Sequence, residues 1–423
     1  MEGCATWGMV SGRFLPHAEA LGGDRRDKRE NLERGFCHVK NRYAEKVSRL
    51  ASDQQCPWAK LSWINRVTAS GEFQFLVSCL KPTRRYTGTM QKCRVLLCVA
   101  FAAASLSAAP RKDAQVAPGQ RVMIMAHNAF PKDGKWNDRL DRALQSGTPL
   151  GIEIDLVYSG GKSFINTTKN LTGHEPTLKS YFFERVRPMV EKAIRDGSQS
   201  NWPIITLFLD IGNDPVEHLE AIAQTLKEYE PWLTSARKPK DDSSIADLDL
   251  KPLMVVVEDK TNDVKQKYFY DRLPVGGKVT VFGTAPKFDP ASMGISKADI
   301  PNMLAKVPLD KMFPVKANTY RRWSSTPWDI VEVGDKMNAS AWGPEQAARL
   351  KAFVDYGHKL GYLVGLYALD AFTDETNQGW SAGYNFGSMD VVRPRWIAAA
   401  KTGADFISTD QYEEAAKAIR GVK

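Results

Sequence analysis

The chain has 423 residues and a formal net charge of +9, but the charge is unevenly distributed. Residues 1–109 contain 17 Lys and Arg against 9 Asp and Glu, whereas the remainder contains 41 against 40. All six cysteines lie within the first 98 residues. The main part of the chain is therefore neither a disulfide scaffold nor a thiol enzyme, and it lacks the basic balance of a nucleic-acid-binding domain.

The front of the chain is predicted to be separate from the rest. Residues 1–89 show no sustained period, and we expect a non-native or disordered extension there. From Met90, MQKCR is basic, VLLCVAFAAASL is apolar and SLSAA is small, which is the order of a secretory signal peptide over 90–109. The apolar part is shorter than the ~20 residues of a bilayer span. We expect translation from Met90, cleavage within 105–109 and a secreted or periplasmic protein. A buried helix behind a genuine N-terminal domain is the alternative.

Strands alternate with helices from about residue 118 to the end. Residues 284–342 are rich in Pro and Trp and predict long loops with short helices. Eight strands with intervening helices indicate an α/β fold, a (β/α)₈ TIM barrel over 118–423. An open doubly wound sheet is the alternative, but no G-x-G-x-x-G follows the first strand. The predicted strands are Arg121–Ala126, Leu150–Val157, Ser163–Thr167, Pro203–Asp210, Pro252–Glu258, Lys278–Phe282, Tyr362–Ala368 and Ala404–Ser408.

Five chemically active side chains fall near the C-terminal ends of these strands, where a barrel carries its active site. His127 follows strand one, and His174 lies in the loop after the third predicted strand. Glu153 and Asp155 are two apart on one strand, so they project to the same face, and Asp210 closes the next long strand. Adjacent carboxylates repel each other unless a cation or a proton lies between them. Three carboxylates suit Mg²⁺ or Ca²⁺, and the histidines suit proton transfer.

Three further residues are weaker candidates for substrate contacts. Lys260 follows the fifth predicted strand and could contact a phosphate, although a solvated loop is the alternative. Asp370 and Trp380 belong to an aromatic, glycine-rich loop at 370–388, which is interpreted as a substrate lid or a membrane-touching edge. Ordinary loop packing explains the same residues without a function.

The order H-N, E-x-D, G-H-x-x-T-L and a strand-end Asp resembles the phospholipase C-like phosphodiesterase superfamily. This superfamily includes glycerophosphodiester phosphodiesterases and phosphatidylinositol-specific phospholipases C. The spacing is most similar to the altered-inheritance-of-mitochondria type branch, in which the T-L-x-S helix that follows reaches a Pro, as Thr177 to Pro188 does here. The resemblance extends through Tyr270-Asp271 and Tyr356–Gly361 to Gly403–Asp410 and covers about 120–418.

The resemblance implies that Glu153, Asp155 and Asp210 hold the metal and that His127 and His174 form the acid/base pair. Asn128 matches a position that also touches the metal in eukaryotic phospholipase C. Glycerophosphodiesterases usually have Arg at that position and Glu as the third ligand, and Asn128 and Asp210 depart from that pattern.

Three functions compete at this point. The first is a secreted, metal-dependent phosphoric diester hydrolase whose substrate is a glycerophosphodiester or the headgroup of a phospholipid, which a membrane surface could present. The second is a non-catalytic phosphate- or phospholipid-binding barrel, against which the paired histidines argue. The third is a glycoside hydrolase, but Glu153 and Asp155 lie too close on one strand to flank a sugar bond.

Overall fold

The chain divides into two compact units, Met1–Ser107 and Ala108–Lys423. The computed structural model describes residues 116–132, 135–197, 199–212, 215–258, 264–372 and 379–422, together with three short strands in the first unit. Those strands, Gly8–Gly12, Ala59–Lys60 and Phe73–Cys79, form an antiparallel sheet with the third strand in the middle. The sequence predicted no fold there. The predicted signal peptide at 90–109 lies outside the described residues.

The second unit is a closed barrel of eight parallel strands, which confirms the predicted fold class. The first and second strands pair with each other and thereby close the sheet. In chain order the strands are β1 Met123–Ala126, β2 Leu150–Ser159, β3 Ile205–Ile211, β4 Leu253–Val257, β5 Val281–Thr284, β6 Arg321–Pro327, β7 Leu363–Tyr367 and β8 Phe406–Thr409.

Helices connect the strands around the outside. The longer ones are α1 Arg139–Gln145, α2 Glu184–Asp196, α3 Val216–Glu228, α4 Pro344–Lys359, α5 Met389–Thr402 and α6 Tyr412–Ile419. Short helical segments at Val264–Gln266, Ile300–Met303 and Leu309–Met312 follow β4 and β5, where the sequence has few residues at helical spacing. No helix in the described part of the chain is long and apolar enough to cross a membrane.

Two strand predictions were wrong. One predicted strand does not belong to the barrel and one barrel strand was not predicted, so the predicted number of eight is still correct. The third predicted strand corresponds to Lys162–Ile165, an antiparallel arm that pairs only with β2 and does not belong to the closed barrel. The true sixth strand, β6, lies inside the region predicted as loops. Its sequence RRWSSTP has little apolar character, so its strand conformation follows from pairing with β5 and β7 on either side. Helix α5 was also not predicted.

Three aromatic rings fill the barrel interior, and we call them the aromatic floor. Phe208, Trp323 and Phe406 lie on β3, β6 and β8, which do not pair with one another, so their rings meet across the interior. Their centroids are 5.1 to 5.5 Å apart, and none of the side chains is more than 4% exposed. We call the C-terminal end of the barrel the mouth. The aromatic floor closes the barrel interior beneath the mouth.

The aromatic floor depends on the absence of a side chain at Gly365 on β7. A Cβ at this position would lie 1.6 Å from Cζ of Phe406. We therefore expect Gly365→Ala to lower the free energy of unfolding by about 1–3 kcal/mol, the usual cost of overpacking a core. Urea-induced unfolding measures the change. Gly383→Ala is the matched control, because its Cβ would meet only Ser381 Oγ at 3.8 Å. Equal stability of the two variants would contradict the packing role of Gly365.

Candidate active site at the barrel mouth

His127 follows β1 and is held in place by a buried ion-pair network. Its Nδ1 lies 3.1 Å from Oδ1 of Asp410, the residue directly after β8. Arg139 on α1 donates to the same oxygen at 2.9 Å and to the Tyr412 hydroxyl at 3.0 Å. The Tyr412 hydroxyl donates to the backbone carbonyl of His127 at 2.8 Å. Because Nδ1 is engaged with Asp410, Nε2 is the ring nitrogen that remains for chemistry.

Electrostatics favour the charged form of this pair. Burial lowers the pKa of His127, but the charge and hydrogen bond of Asp410, with contributions from Glu153 and Asp370, outweigh burial and raise that pKa to about 10. Burial raises the pKa of Asp410, yet His127 and Arg139 hold it below its usual value. His127 is therefore an oriented proton carrier, in the way a carboxylate orients a catalytic imidazole.

Asp370, which follows β7, is hydrogen-bonded to the backbone of Asp410. Its Oδ1 accepts hydrogen bonds from the Asp410 amide at 2.7 Å and from the Thr409 hydroxyl at 2.9 Å. The side chain is 1% exposed, and its Oδ2 has no hydrogen-bond partner among the described residues. Burial and the charge of Asp410 raise the pKa of Asp370 to about 8. In the structure Asp370 therefore positions Asp410 and Thr409, and a substrate contact of Asp370 stays a prediction.

Four carboxylates form a second feature of the mouth, which we call the carboxylate layer: Glu153, Asp155, Asp210 and Glu258. Asp155 on β2 is the register partner of Asp210 on β3. Glu258 comes one residue after the Val257–Leu209 pair and so stands beside Asp210. Asp210 follows Phe208 by two residues on β3 and so projects to the same face, nearer the C-terminal end, which places the layer next to the aromatic floor on the side of the mouth.

The alternation predicted for β2 is confirmed. Ile152, Ile154 and Leu156 are 0% exposed and face the helices, whereas Glu153 and Asp155 are half-buried. Burial raises the pKa of Glu153 to about 7, opposed by His127 and reinforced by the charges of Glu258 and Asp210. Burial and the charges of Glu153 and Asp210 raise the pKa of Asp155 to about 8. The layer thus carries more negative charge than its protein surroundings compensate.

Two groups of residues can be compared as hosts for a cation. His127, Asp370 and Asp410 each offer a ligand atom, all within 4.8 Å of one another, so this group could hold a metal. However, Asp410 already accepts hydrogen bonds from His127 and Arg139 at Oδ1 and from the Trp380 amide at Oδ2. The Arg139 guanidinium therefore already supplies the positive charge at this group.

The carboxylate layer fits a hard divalent cation better in its chemistry. It offers several carboxylate oxygens, the ligand atoms that Mg²⁺ and Ca²⁺ prefer. The raised pKa values of Glu153 and Asp155 indicate that these two carboxylates lack a compensating positive charge. The carboxylate oxygens of Glu153, Asp155 and Asp210 do not all lie within 4.8 Å of one another in the structure, whereas the ligand atoms of His127, Asp370 and Asp410 do. Convergence of the three carboxylates on one ion therefore stays a prediction.

The structure does not bring the His174 side chain into contact with these groups. The loop that carries His174 is anchored beside the layer, because the Asn166 amide donates to the Asp155 carbonyl at 3.2 Å. The His174 ring itself is exposed and has no hydrogen-bond partner within the described ranges. Lys260 lies in 259–263, outside the described residues. The roles predicted for both stay predictions.

Trp380 joins the loop at 379–388 to the active-site network. Its amide donates to Oδ2 of Asp410 at 2.7 Å, and its indole Nε1 donates to the Asn128 carbonyl at 3.2 Å. Its ring packs on Phe130 with the centroids 5.0 Å apart. Trp380 thus has a positioning role in the structure, and a substrate contact stays a prediction.

Backbone strain flanks the same network. Asn128 has a φ of 46° and Ala368, directly after β7, a φ of 63°, both in the left-handed region that residues with a Cβ rarely adopt. Such conformations cost about 1–3 kcal/mol and cluster at functional sites. At Asn128 this conformation directs the backbone carbonyl toward the indole of Trp380, which donates a hydrogen bond to it. Metal binding by the Asn128 amide stays a prediction.

Several residues of the mouth were missed by the sequence analysis. Asp410 lies two residues after the predicted strand Ala404–Ser408 and directly after the observed β8, so a search for strand-end carboxylates could have selected it too. Arg139 on a helix and Lys287 in a loop had no sequence signal. Lys287 lies 2.7 Å from Glu258, and only the folded chain brings these two residues together.

No family model and no curated protein matches the chain. Similar solved structures include a glycerophosphoryl diester phosphodiesterase from Parabacteroides distasonis, with 13% identity, a TM-score of 0.34 and coverage of 72% of this chain and 87% of that one. A glycerophosphodiester phosphodiesterase from Agrobacterium tumefaciens has 10% identity, a TM-score of 0.34 and coverage of 71% and 99%. HPPK-DHPS from Plasmodium falciparum has 12% identity, a TM-score of 0.33 and coverage of 71% and 47%.

Similarity of this degree assigns the chain to no family, and the branch predicted from the motifs stays a prediction. The fold and the site by themselves define a class: a (β/α)₈ barrel whose mouth combines a carboxylate layer with an oriented histidine.

Proposed function

We propose that this protein is a metal-dependent phosphoric diester hydrolase that acts on a phospholipid headgroup or a glycerophosphodiester. The observation that carries the proposal is the meeting of two features at one mouth. His127 is oriented by Asp410, and the half-buried carboxylates of Glu153 and Asp155 lie on the strand next to Asp210, with Asp155 and Asp210 in register. Proton transfer and anion stabilisation are the two requirements of phosphodiester hydrolysis.

The residues divide this work as follows. Glu153, Asp155 and Asp210 would hold Mg²⁺ or Ca²⁺, which when bound withdraws charge from a phosphate oxygen. His127 moves one proton through Nε2 while Asp410 keeps its ring in place. His174, on the loop anchored beside Asp155, moves the other. One histidine deprotonates the nucleophile and the other protonates the leaving alkoxide. Export directed by the segment that begins at Met90, to a secreted or periplasmic location, belongs to the same proposal.

A second candidate is a non-catalytic phosphate- or phospholipid-binding barrel. The exposure of His174, whose ring makes no hydrogen bond to the described part of the mouth, favours it. Binding needs the charged groups of the mouth but not two positioned proton carriers.

A panel of phosphodiesters separates the two candidates. We expect the purified protein to hydrolyse an aryl phosphodiester and at least one glycerophosphodiester or phospholipid, to lose this activity in EDTA and to regain it with Mg²⁺ or Ca²⁺. The measurement is release of the alcohol product at each metal concentration. Hydrolysis that survives EDTA would contradict the metal dependence, and phosphate binding without any hydrolysis would support the non-catalytic barrel.

A further inference from the structure

The loop after β5 places a lysine at the edge of the carboxylate layer. The Lys287 ammonium lies 2.7 Å from Oε1 of Glu258. The Lys287 side chain is 35% exposed, whereas that of Glu258 is 15% exposed. A ligand that entered the mouth would therefore reach Lys287 more easily than it would reach the glutamate behind it.

Lys287 and His127 stand on opposite sides of the mouth. His127 follows β1 and Lys287 follows β5, and these strands are four positions apart around a barrel of eight. Between them lie Asp155 and Asp210, on β2 and β3. The Lys287 ammonium pairs with Glu258, which stands beside Asp210, so the ammonium lies at the layer rather than apart from it on the outer surface.

A phosphodiester meets an electrostatic problem in such a mouth. Its single negative charge is shared by two non-bridging oxygens, and the carboxylates repel both. A cation held by Glu153, Asp155 and Asp210 would compensate one oxygen, and the other needs a donor from the protein. An ammonium has three N–H donors, and Glu258 uses one of those of Lys287, which leaves two.

We propose that Lys287 binds a non-bridging oxygen of the substrate phosphate and that Glu258 positions the ammonium for this contact. The assignment rests on the proposed phosphodiesterase function for its substrate class. In this arrangement a tethered ammonium supplies the second positive charge that some phosphodiesterases obtain from a second metal ion. Lys287 is then a catalytic residue, and Glu258 is a positioning residue.

Binding of inorganic phosphate to the full chain tests this assignment without reliance on turnover. Calorimetric titrations at saturating Mg²⁺ would compare the wild type with Lys287→Met, Lys287→Arg and Glu258→Gln. We expect Lys287→Met to weaken phosphate binding about 10–100-fold, the range for loss of one charged hydrogen bond. Lys287→Arg should restore most of the affinity, because it keeps the charge. Glu258→Gln should weaken binding less, since the ammonium remains but is no longer held.

The matched control is Lys278→Met, which breaks the surface pair of Lys278 with Glu230 at 2.6 Å, on the short strand that precedes β5. This variant should bind phosphate as the wild type does. Mg²⁺ affinity measured without phosphate separates substrate contact from simple charge balance. In Lys287→Met it should stay unchanged or rise, because a competing positive charge is removed from the layer.

Two results would overturn the assignment: phosphate binding by Lys287→Met that equals the wild type, or a wild type that binds no phosphate at Mg²⁺ saturation. A parallel loss of Mg²⁺ affinity in Lys287→Met would also overturn it, since Lys287 would then only maintain the fold of the layer. Phosphate binding that depends on Lys287, in a protein that hydrolyses no phosphodiester, would uphold the contact and refute the proposed hydrolysis.

Discussion

Replacing His127 or His174 with alanine is expected to lower kcat for an aryl phosphodiester by about 10²–10⁴-fold in each case, the usual contribution of general acid–base catalysis. Neither imidazole is among the proposed ligands of the cation, so Mg²⁺ affinity should stay nearly unchanged. The double variant should lose less than the product of the two single losses, because the histidines act as one unit. The measurement is steady-state kinetics with metal content determined for each variant.

The chain offers a matched control for His127. His358 makes the same kind of pair, with its Nε2 2.8 Å from Oδ2 of Asp405, but at the N-terminal end of the barrel. His358→Ala should lower stability without a selective loss of kcat. Near-full activity of His174→Ala, or loss of its metal, would show that His174 is a bystander or a ligand rather than an acid/base group. An active His127→Ala would remove the central element of the proposed mechanism.

The second large effect is expected for Asp155→Asn, which should weaken Mg²⁺ or Ca²⁺ binding by at least about 10–100-fold. That is the range measured for outer-shell partners of metal sites, and a direct ligand should matter no less. The substitution keeps the size of the side chain and removes its charge. High concentrations of the cation should therefore restore part of kcat, a response that the histidine variants should not show. Metal titrations followed by activity at each concentration measure both effects.

Asp196→Asn is the control for Asp155→Asn, because it removes the charge of an exposed aspartate at the end of α2 that pairs only with Lys192 in the described structure. Its cation affinity should match the wild type. Unchanged cation affinity in Asp155→Asn would transfer the metal site to other residues, and the His127, Asp370 and Asp410 group would be the next to test.

The strand register explains why part of the site was predictable. A strand alternates its side chains between two faces, so Glu153 and Asp155 had to share the face opposite Ile152 and Ile154. Parallel strands end at the same edge of a sheet, so His127 and Asp210 had to lie at that edge as well. The structure confirms both relations, because Asp155 and Asp210 are in register and His127 directly follows β1.

The local patterns failed where strand pairing, rather than composition, decides the conformation. Segment Ser163–Thr167 has strand-like residues, but its tight return from β2 makes it an antiparallel arm outside the barrel. Strand β6 has polar residues and a proline at its end, and only Trp323 marks the face that enters the aromatic floor. Neither outcome is encoded within the segment itself.

The sequence by itself therefore determined the barrel, the face of each carboxylate and the position of His127 at a strand end, because these depend on the alternation of side chains and on the common direction of the strands. Only the tertiary structure decided which residues form hydrogen bonds and ion pairs with those side chains. Asp410 reaches His127 across 283 positions of the chain, and Arg139 reaches Asp410 across 271. Lys287 meets Glu258 only because two loops converge on one mouth. Such contacts depend on closure of the barrel, which brings distant strand ends within hydrogen-bonding distance. No local spacing of residues in the sequence indicates them.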